Sequence, residues 1–98
     1  MSVKKYTYSK RAERDLIQIY KDTAKEWGVL QADEYNRRLQ KTITLLADHP
    51  NAGQRCDEIK TGCRRFQCEK HLFLYRKRKA DIFVIRILHT RMDYQRHV

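Results

Sequence analysis

The chain has 98 residues, of which 41% are hydrophobic and 35% charged; this length holds one domain spanning residues 1–98, and the apolar content excludes intrinsic disorder. Lysine and arginine number 22 against 12 acidic residues, a net charge of +10, which favours an anionic partner. No run approaches ~20 apolar residues, and MSVKKYTYSKRAERD lacks the apolar core of a signal peptide, so a membrane span is excluded and a cytoplasmic location expected.

The basic residues are scattered from Lys4 to Arg96, which describes a charged folded face and not a disordered arm. A domain of this size buries roughly 65% of the surface its unfolded chain exposes, enough for one modest core. Cys56, Cys63 and Cys68 lack the paired C-x-x-C spacing of a zinc site. They are expected to be reduced thiols acting as small apolar side chains. No metal cluster, glycine-rich phosphate loop or nucleophilic triad is present, and no cofactor is called for.

In chain order, Val3 to Tyr8 alternates, with Tyr6 and Tyr8 on one face, and predicts a short strand. Ser9 is a suitable N-cap, and Glu13 and Asp15 lie early in the helix that follows, where the macrodipole favours acids. That helix runs from about Lys10 to Trp27. Its stripe of Ala12, Leu16, Ile19, Tyr20, Thr23 and Trp27 is expected to be core. Gly28 ends it, and a second helix from about Leu30 to Asp48 repeats the pattern through Ala32, Tyr35, Leu39, Ile43 and Leu46. So short a connection requires an antiparallel αα-hairpin.

Asn51 to Gly62 shows no period. Three strand candidates follow, Cys63–Glu69, His71–Lys77 and Ile82–His89, joined by short polar turns as an antiparallel meander. The expected fold is α+β in the order β-α-α-β-β-β. The hairpin packs on one face of a small, mainly antiparallel sheet, and a short helical turn closes the chain. Thr90-x-x-Asp93 resembles a capping box for that last turn.

Strand parity assigns the side chains to faces. In the last strand Phe83, Ile85, Ile87 and His89 share one face, and Ile82, Val84, Arg86 and Leu88 the other. Helices on one side leave the second sheet face uncovered, and arginine among aliphatic residues is what a docking surface needs. Arg64 and Arg65, being adjacent, point to opposite faces, and each is suited to bidentate capture of phosphate or carboxylate. No spacing among His71, His89, His97 and Asp93 demands catalysis.

The segments YTYSKRAERDLIQIY, WGVLQADEYNRRL, LADHPNAGQR, GCRRFQCEKHLFLYR and IRILHTRMDYQRHV, in this order, resemble the ParE-type toxins of the RelE/ParE toxin–antitoxin superfamily. The resemblance implies a cognate antitoxin whose C-terminal segment wraps the toxin, and DNA gyrase as the target, inhibited by binding without catalysis. RelE-type members instead cut mRNA on the ribosome, and that is the alternative reading. Against it, Leu72 stands where RelE-type enzymes place an arginine before FLY, and the ending YQRHV lacks their late tyrosine, unless Tyr94 substitutes from a shifted position.

The residues expected to act on the target are Arg64, Arg65, Arg86, His89, Arg91, Asp93, Arg96 and His97. Arg65 and Arg86 supply charge on the sheet, Asp93 holds the last turn, and Arg91, Arg96 and His97 present it to gyrase or DNA. The antitoxin is expected on Leu74, Arg76, Val84 and Leu88 of the uncovered sheet face and on exposed parts of the hairpin.

Overall fold

The computed structural model describes residues 5–93 and Arg96. Its elements are β1 (Tyr6–Tyr8), α1 (Lys10–Trp27), α2 (Val29–Asp48), β2 (Gln54–Arg55), β3 (Cys63–Cys68), β4 (His71–Lys77) and β5 (Ile82–His89). The order matches the sequence expectation, with one addition: the aperiodic stretch after the hairpin contains the two-residue edge strand β2. Residues Val3 and Lys4 of the expected first strand lie outside the described residues.

The five strands form one sheet in the order β1-β5-β4-β3-β2. Strands β2 to β5 pair antiparallel, while β1 joins β5 in parallel. A parallel neighbour requires a crossover, and the helical hairpin is that crossover.

Helix α1 begins as expected: the Ser9 hydroxyl accepts from the Ala12 N–H at 2.9 Å. Gly28 ends α1 and opens α2 with φ of 92°, a conformation that disfavours any residue with a Cβ. In α2 every residue of the expected stripe is buried: Ala32, Tyr35, Leu39, Ile43 and Leu46. These pack with Ala12, Ile19, Phe73, Tyr75, Ile82, Val84 and Ile87 in the main core between hairpin and sheet. Burying each large aliphatic side chain stabilises the fold by about 1.5–3 kcal/mol. Trp27 departs from its expected place, standing 62% exposed at the hairpin tip beside Val29 and Leu30.

The opposite sheet face is not uncovered. Leu72, Leu74 and Leu88 are buried there with Cys56 and Cys63, and Ile59 and Ile85 close the cluster. The loop between β2 and β3 supplies Cys56 and Ile59, so the aperiodic segment covers part of this face. Burial pushes the Cys63 thiol up to about 12, and raises that of Cys56 as well. Both stay protonated and act as core side chains.

Strict alternation fails in β5. Leu74 opposes Arg86 and Tyr75 opposes Val84, so Ile85 is an extra residue in the ladder, a β-bulge. The bulge reverses parity beyond it, placing Val84 with Ile82 and Ile87 against the helices and Ile85 with Leu88 on the far side. The expected face of Ile82, Val84, Arg86 and Leu88 therefore does not exist.

Candidate functional site

The edge of β5 explains where Arg86 goes. Strand β1 ends at Tyr8, opposite Val84, and the chain turns at Ser9 into α1. Beyond that point the β5 backbone has no strand neighbour on this side. The Ser9 hydroxyl donates to the Ile85 carbonyl at 2.6 Å, and the Ile87 N–H donates to the Asp15 carboxylate at 3.0 Å. The Arg86 guanidinium meets the same carboxylate through two bonds of 2.8 and 2.9 Å. Both side chains are largely buried, at 11% and 14% exposure. Arg86 is thus an internal brace between β5 and α1, not a charge offered on the sheet, and Asp15 holds its guanidinium firmly protonated.

Arg64 and Arg65 diverge to opposite faces, as their adjacency requires. Arg64 donates to the Gly53 carbonyl at 2.8 Å and to that of Asn51 at 3.5 Å, so it clamps the turn after the hairpin. Tyr75 clamps the same turn, donating to the Pro50 carbonyl and accepting from the Gly53 N–H, both at 2.8 Å. Arg65 opposes Leu74 and donates to the Gln54 side chain at 3.1 Å. With Gln54, Gln67, Leu72 and Thr90 it lines a shallow depression on the far sheet face.

Of the four residues expected to receive the antitoxin, Leu74, Val84 and Leu88 are buried, at 0%, 0% and 2%. Only Arg76 is exposed, and it lies over the Phe83 ring. The sheet half of that expectation is corrected: the loop cover and the bulge remove its apolar residues from the surface. On the hairpin, Ile17, Trp27, Val29, Leu30 and Leu45 are large apolar residues left exposed.

His89 and Arg91, at the end of β5, border a cleft that the sequence did not reveal. The register pairs His71 with His89, setting their rings edge to face at 5.3 Å. Tyr35 reaches from α2, and its hydroxyl shares a hydrogen bond of 2.6 Å with His71 Nδ1. Its phenol is pushed up to about 12, mainly by burial, so it keeps its proton. Burial, then the neighbouring His89 and Lys70, depress His71 to about 4, and the imidazole is neutral. His89 Nδ1 accepts the Arg91 N–H at 3.1 Å.

Around these rings a cleft of about 350 Å³ opens between the hairpin tip and the sheet, lined also by Trp27, Arg38, Glu69 and Arg91. Glu69 holds a positive φ of 53° in the β3–β4 turn and is fixed there by Arg38 at 2.8 Å. Tyr35, Arg38 and Trp27 were legible only as helix residues. Nothing in the sequence fixes the cross-strand register that brings them to His71 and His89.

Past the cleft, Arg91 and Asp93 are exposed, and Arg96 pairs with Asp93 at 3.4 Å. The Arg96 N–H donates to the Asp93 carbonyl at 3.1 Å. His97 and Tyr94 lie outside the described residues. Within those residues no group of three or more metal-binding side chains converges, and no helix is long and apolar enough to cross a membrane.

Comparison with known proteins accounts for this architecture. The model of the ParE toxin of type II toxin–antitoxin systems, parDE, matches residues 6–94. Toxin ParE1 of Caulobacter vibrioides is 38% identical over 96 residues, spanning 98% of this chain and 99% of that protein. Toxin ParE1 of Mycobacterium tuberculosis is 39% identical over 95 residues, with 96% and 97% covered. Toxin ParE of Escherichia coli is 33% identical over 89 residues, with 90% and 86% covered. A solved structure of the chromosomal ParDE system from P. aeruginosa shares the fold, with a TM-score of 0.76 at 19% identity over 88% of this chain and 95% of that one. The chain belongs to the ParE family of type II toxin–antitoxin toxins.

Proposed function

We propose that this protein is the toxin of a toxin–antitoxin pair, that it inhibits DNA gyrase by binding without catalysis, and that a cognate antitoxin neutralises it in the cytoplasm. The observation that carries this reading is family membership over residues 6–94. The basic charge of +10 suits a target that holds DNA. The C-terminal rim of His89, Arg91, Asp93 and Arg96 is the candidate target contact, with Arg65 beside it on the far sheet face. The antitoxin docks on the helical hairpin, where the exposed apolar residues lie.

The test is a supercoiling assay with purified gyrase. The protein is expected to block supercoiling and to make cleaved DNA accumulate. Unaffected gyrase together with mRNA cleavage in a translating extract would replace this reading with the ribosome-dependent nuclease. Changing Arg91 and Arg96 together to Ala is expected to weaken inhibition at least tenfold with an unchanged melting temperature.

A further inference from the structure

The end of the sheet away from the C-terminal rim carries a second concentration of charge. Arg55 of β2, Arg64 of β3, and Arg76 and Lys77 of β4 line a cleft of about 300 Å³, facing the single carboxylate of Asp57. The pairing sets them at one end of the sheet: Arg55 opposes Arg64 directly, while Arg76 opposes Cys63, the residue before Arg64, and so springs from the opposite face and meets them around the sheet's end.

Three of these guanidinium groups are already oriented. Arg64 is held by the Gly53 carbonyl at 2.8 Å. Arg55 is held by Asp57 at 2.8 Å. Asp57 is itself fixed by the Gly62 N–H at 2.9 Å. Arg76 lies over the Phe83 ring at 5.4 Å, and Arg78 over the same ring at 4.8 Å. Among the described residues Arg76 and Lys77 have no acidic partner within ion-pairing distance. Uncompensated cations held this close together repel one another, and an anion bound between them relieves that repulsion.

We propose that this cleft grips the sugar–phosphate backbone of duplex DNA. Oriented guanidinium groups match phosphate oxygens in bidentate geometry, and strands β2, β3 and β4 bring them around one cleft at the end of the sheet. A single-stranded ligand would need exposed aromatic platforms for its bases, whereas Tyr75, opposite Arg64, is buried and Phe83 lies beneath two guanidinium groups. A lipid surface would need apolar residues to insert, yet Trp27, Val29 and Leu30 are exposed at the hairpin tip and none lines this cleft. The proposal concerns DNA alone and does not require gyrase to be the target.

The test measures binding of the purified protein to a fluorescent DNA duplex by anisotropy across a salt series. The Arg55→Gln, Arg76→Gln, Lys77→Gln variant is compared with a charge-matched control, Lys10→Gln, Arg11→Gln, Arg14→Gln, on exposed positions of α1. Losing three phosphate contacts is expected to reduce the slope of log affinity against log salt by about 3 and to weaken binding on the order of tenfold. The control is expected to move the slope by less than about 1. The Arg76→Gln, Lys77→Gln pair leaves the Arg55–Asp57 contact intact and is expected to reduce the slope by about 2. Equal losses in the cleft variant and the control would overturn the proposal, as would tighter binding to a single strand or to anionic vesicles. Supercoiling inhibition by the same variants reads the gyrase target separately, so either conclusion can fail alone.

Discussion

Arg86 shows how a residue type can be read correctly and its role missed. An arginine within an apolar strand has two outlets, solvent or a buried acid, and the acid that it finds is Asp15, 71 positions away. Removing one member of such a pair leaves the other charge stranded in a low-dielectric site, which costs roughly 3–5 kcal/mol. Arg86→Ala is therefore expected to lower unfolding stability by about 3 kcal/mol in urea titration, at the lower end because both groups retain slight exposure. Any loss of toxicity in that variant would follow from instability. A variant that kept full stability would restore Arg86 to the list of contact residues.

His71 carries the second prediction at this scale. Its folded value of about 4 lies below the ordinary 6.5, so the unfolded chain takes up a proton that the folded chain refuses. Its contribution is fully present above pH 6.5 and is lost as pH falls from 6.5 toward 4. The limiting slope is about 1.4 kcal/mol per pH unit, and partial exposure of the ring reduces the total to about 2 kcal/mol. Chemical denaturation of the wild type and His71→Gln at pH 7 and pH 5 is the measurement. The stability difference between these two pH values is expected to shrink in the variant.

At the scale of elements, the turn after the hairpin is held by side chains from the strands that follow it. Tyr75 and Arg64 both bond its backbone, and a Cβ at Gly53 would stand 2.4 Å from the Tyr75 hydroxyl. Glycine is required there so that the backbone can approach the phenol. Tyr75→Phe leaves a buried N–H and carbonyl without their partner and is expected to cost about 2 kcal/mol. Because the turn leads into the loop covering the far sheet face, that variant should also be cut faster by protease between residues 50 and 62. Cleavage confined to other loops would show that the clamp is local. The bulge at Ile85 is a second device of this kind. It rotates the strand so that Val84 faces the helices while Ile85 and Leu88 face the loop.

For the whole molecule, the exposed apolar residues are concentrated on the hairpin, not on the sheet. Trp27 is the chain's one tryptophan, so its fluorescence reports directly on what covers the tip. Antitoxin binding is expected to shift its emission to the blue. Leu30→Asp, at a position 86% exposed, should weaken the complex at least tenfold without altering the melting temperature. An unchanged emission maximum on complex formation would place the antitoxin elsewhere. The charge distribution adds a separate axis, with one basic surface at the C-terminal rim and another at the opposite end of the sheet.

Local pattern was enough for every element but the two-residue strand β2. Ala32, Tyr35, Leu39, Ile43 and Leu46 announce their buried face by spacing alone, and Ser9 and Gly28 mark helix ends through their own conformational chemistry. The meander, the hairpin and the position of the C-terminal rim followed from the same short-range rules, and the resemblance to ParE-type toxins rested on segments in chain order. The site's interior did not follow from them. A single extra residue in a ladder reverses which face a side chain occupies, and neither the bulge at Ile85 nor the pairing of His71 with His89 leaves a local signal. The Arg86–Asp15 brace, the loop over Leu74 and Leu88, and the cleft of Arg55, Arg64, Arg76 and Lys77 join residues far apart in sequence. Periodicity records which neighbours along the chain share a face; which distant residues meet is decided by register and packing, and only the tertiary structure holds those.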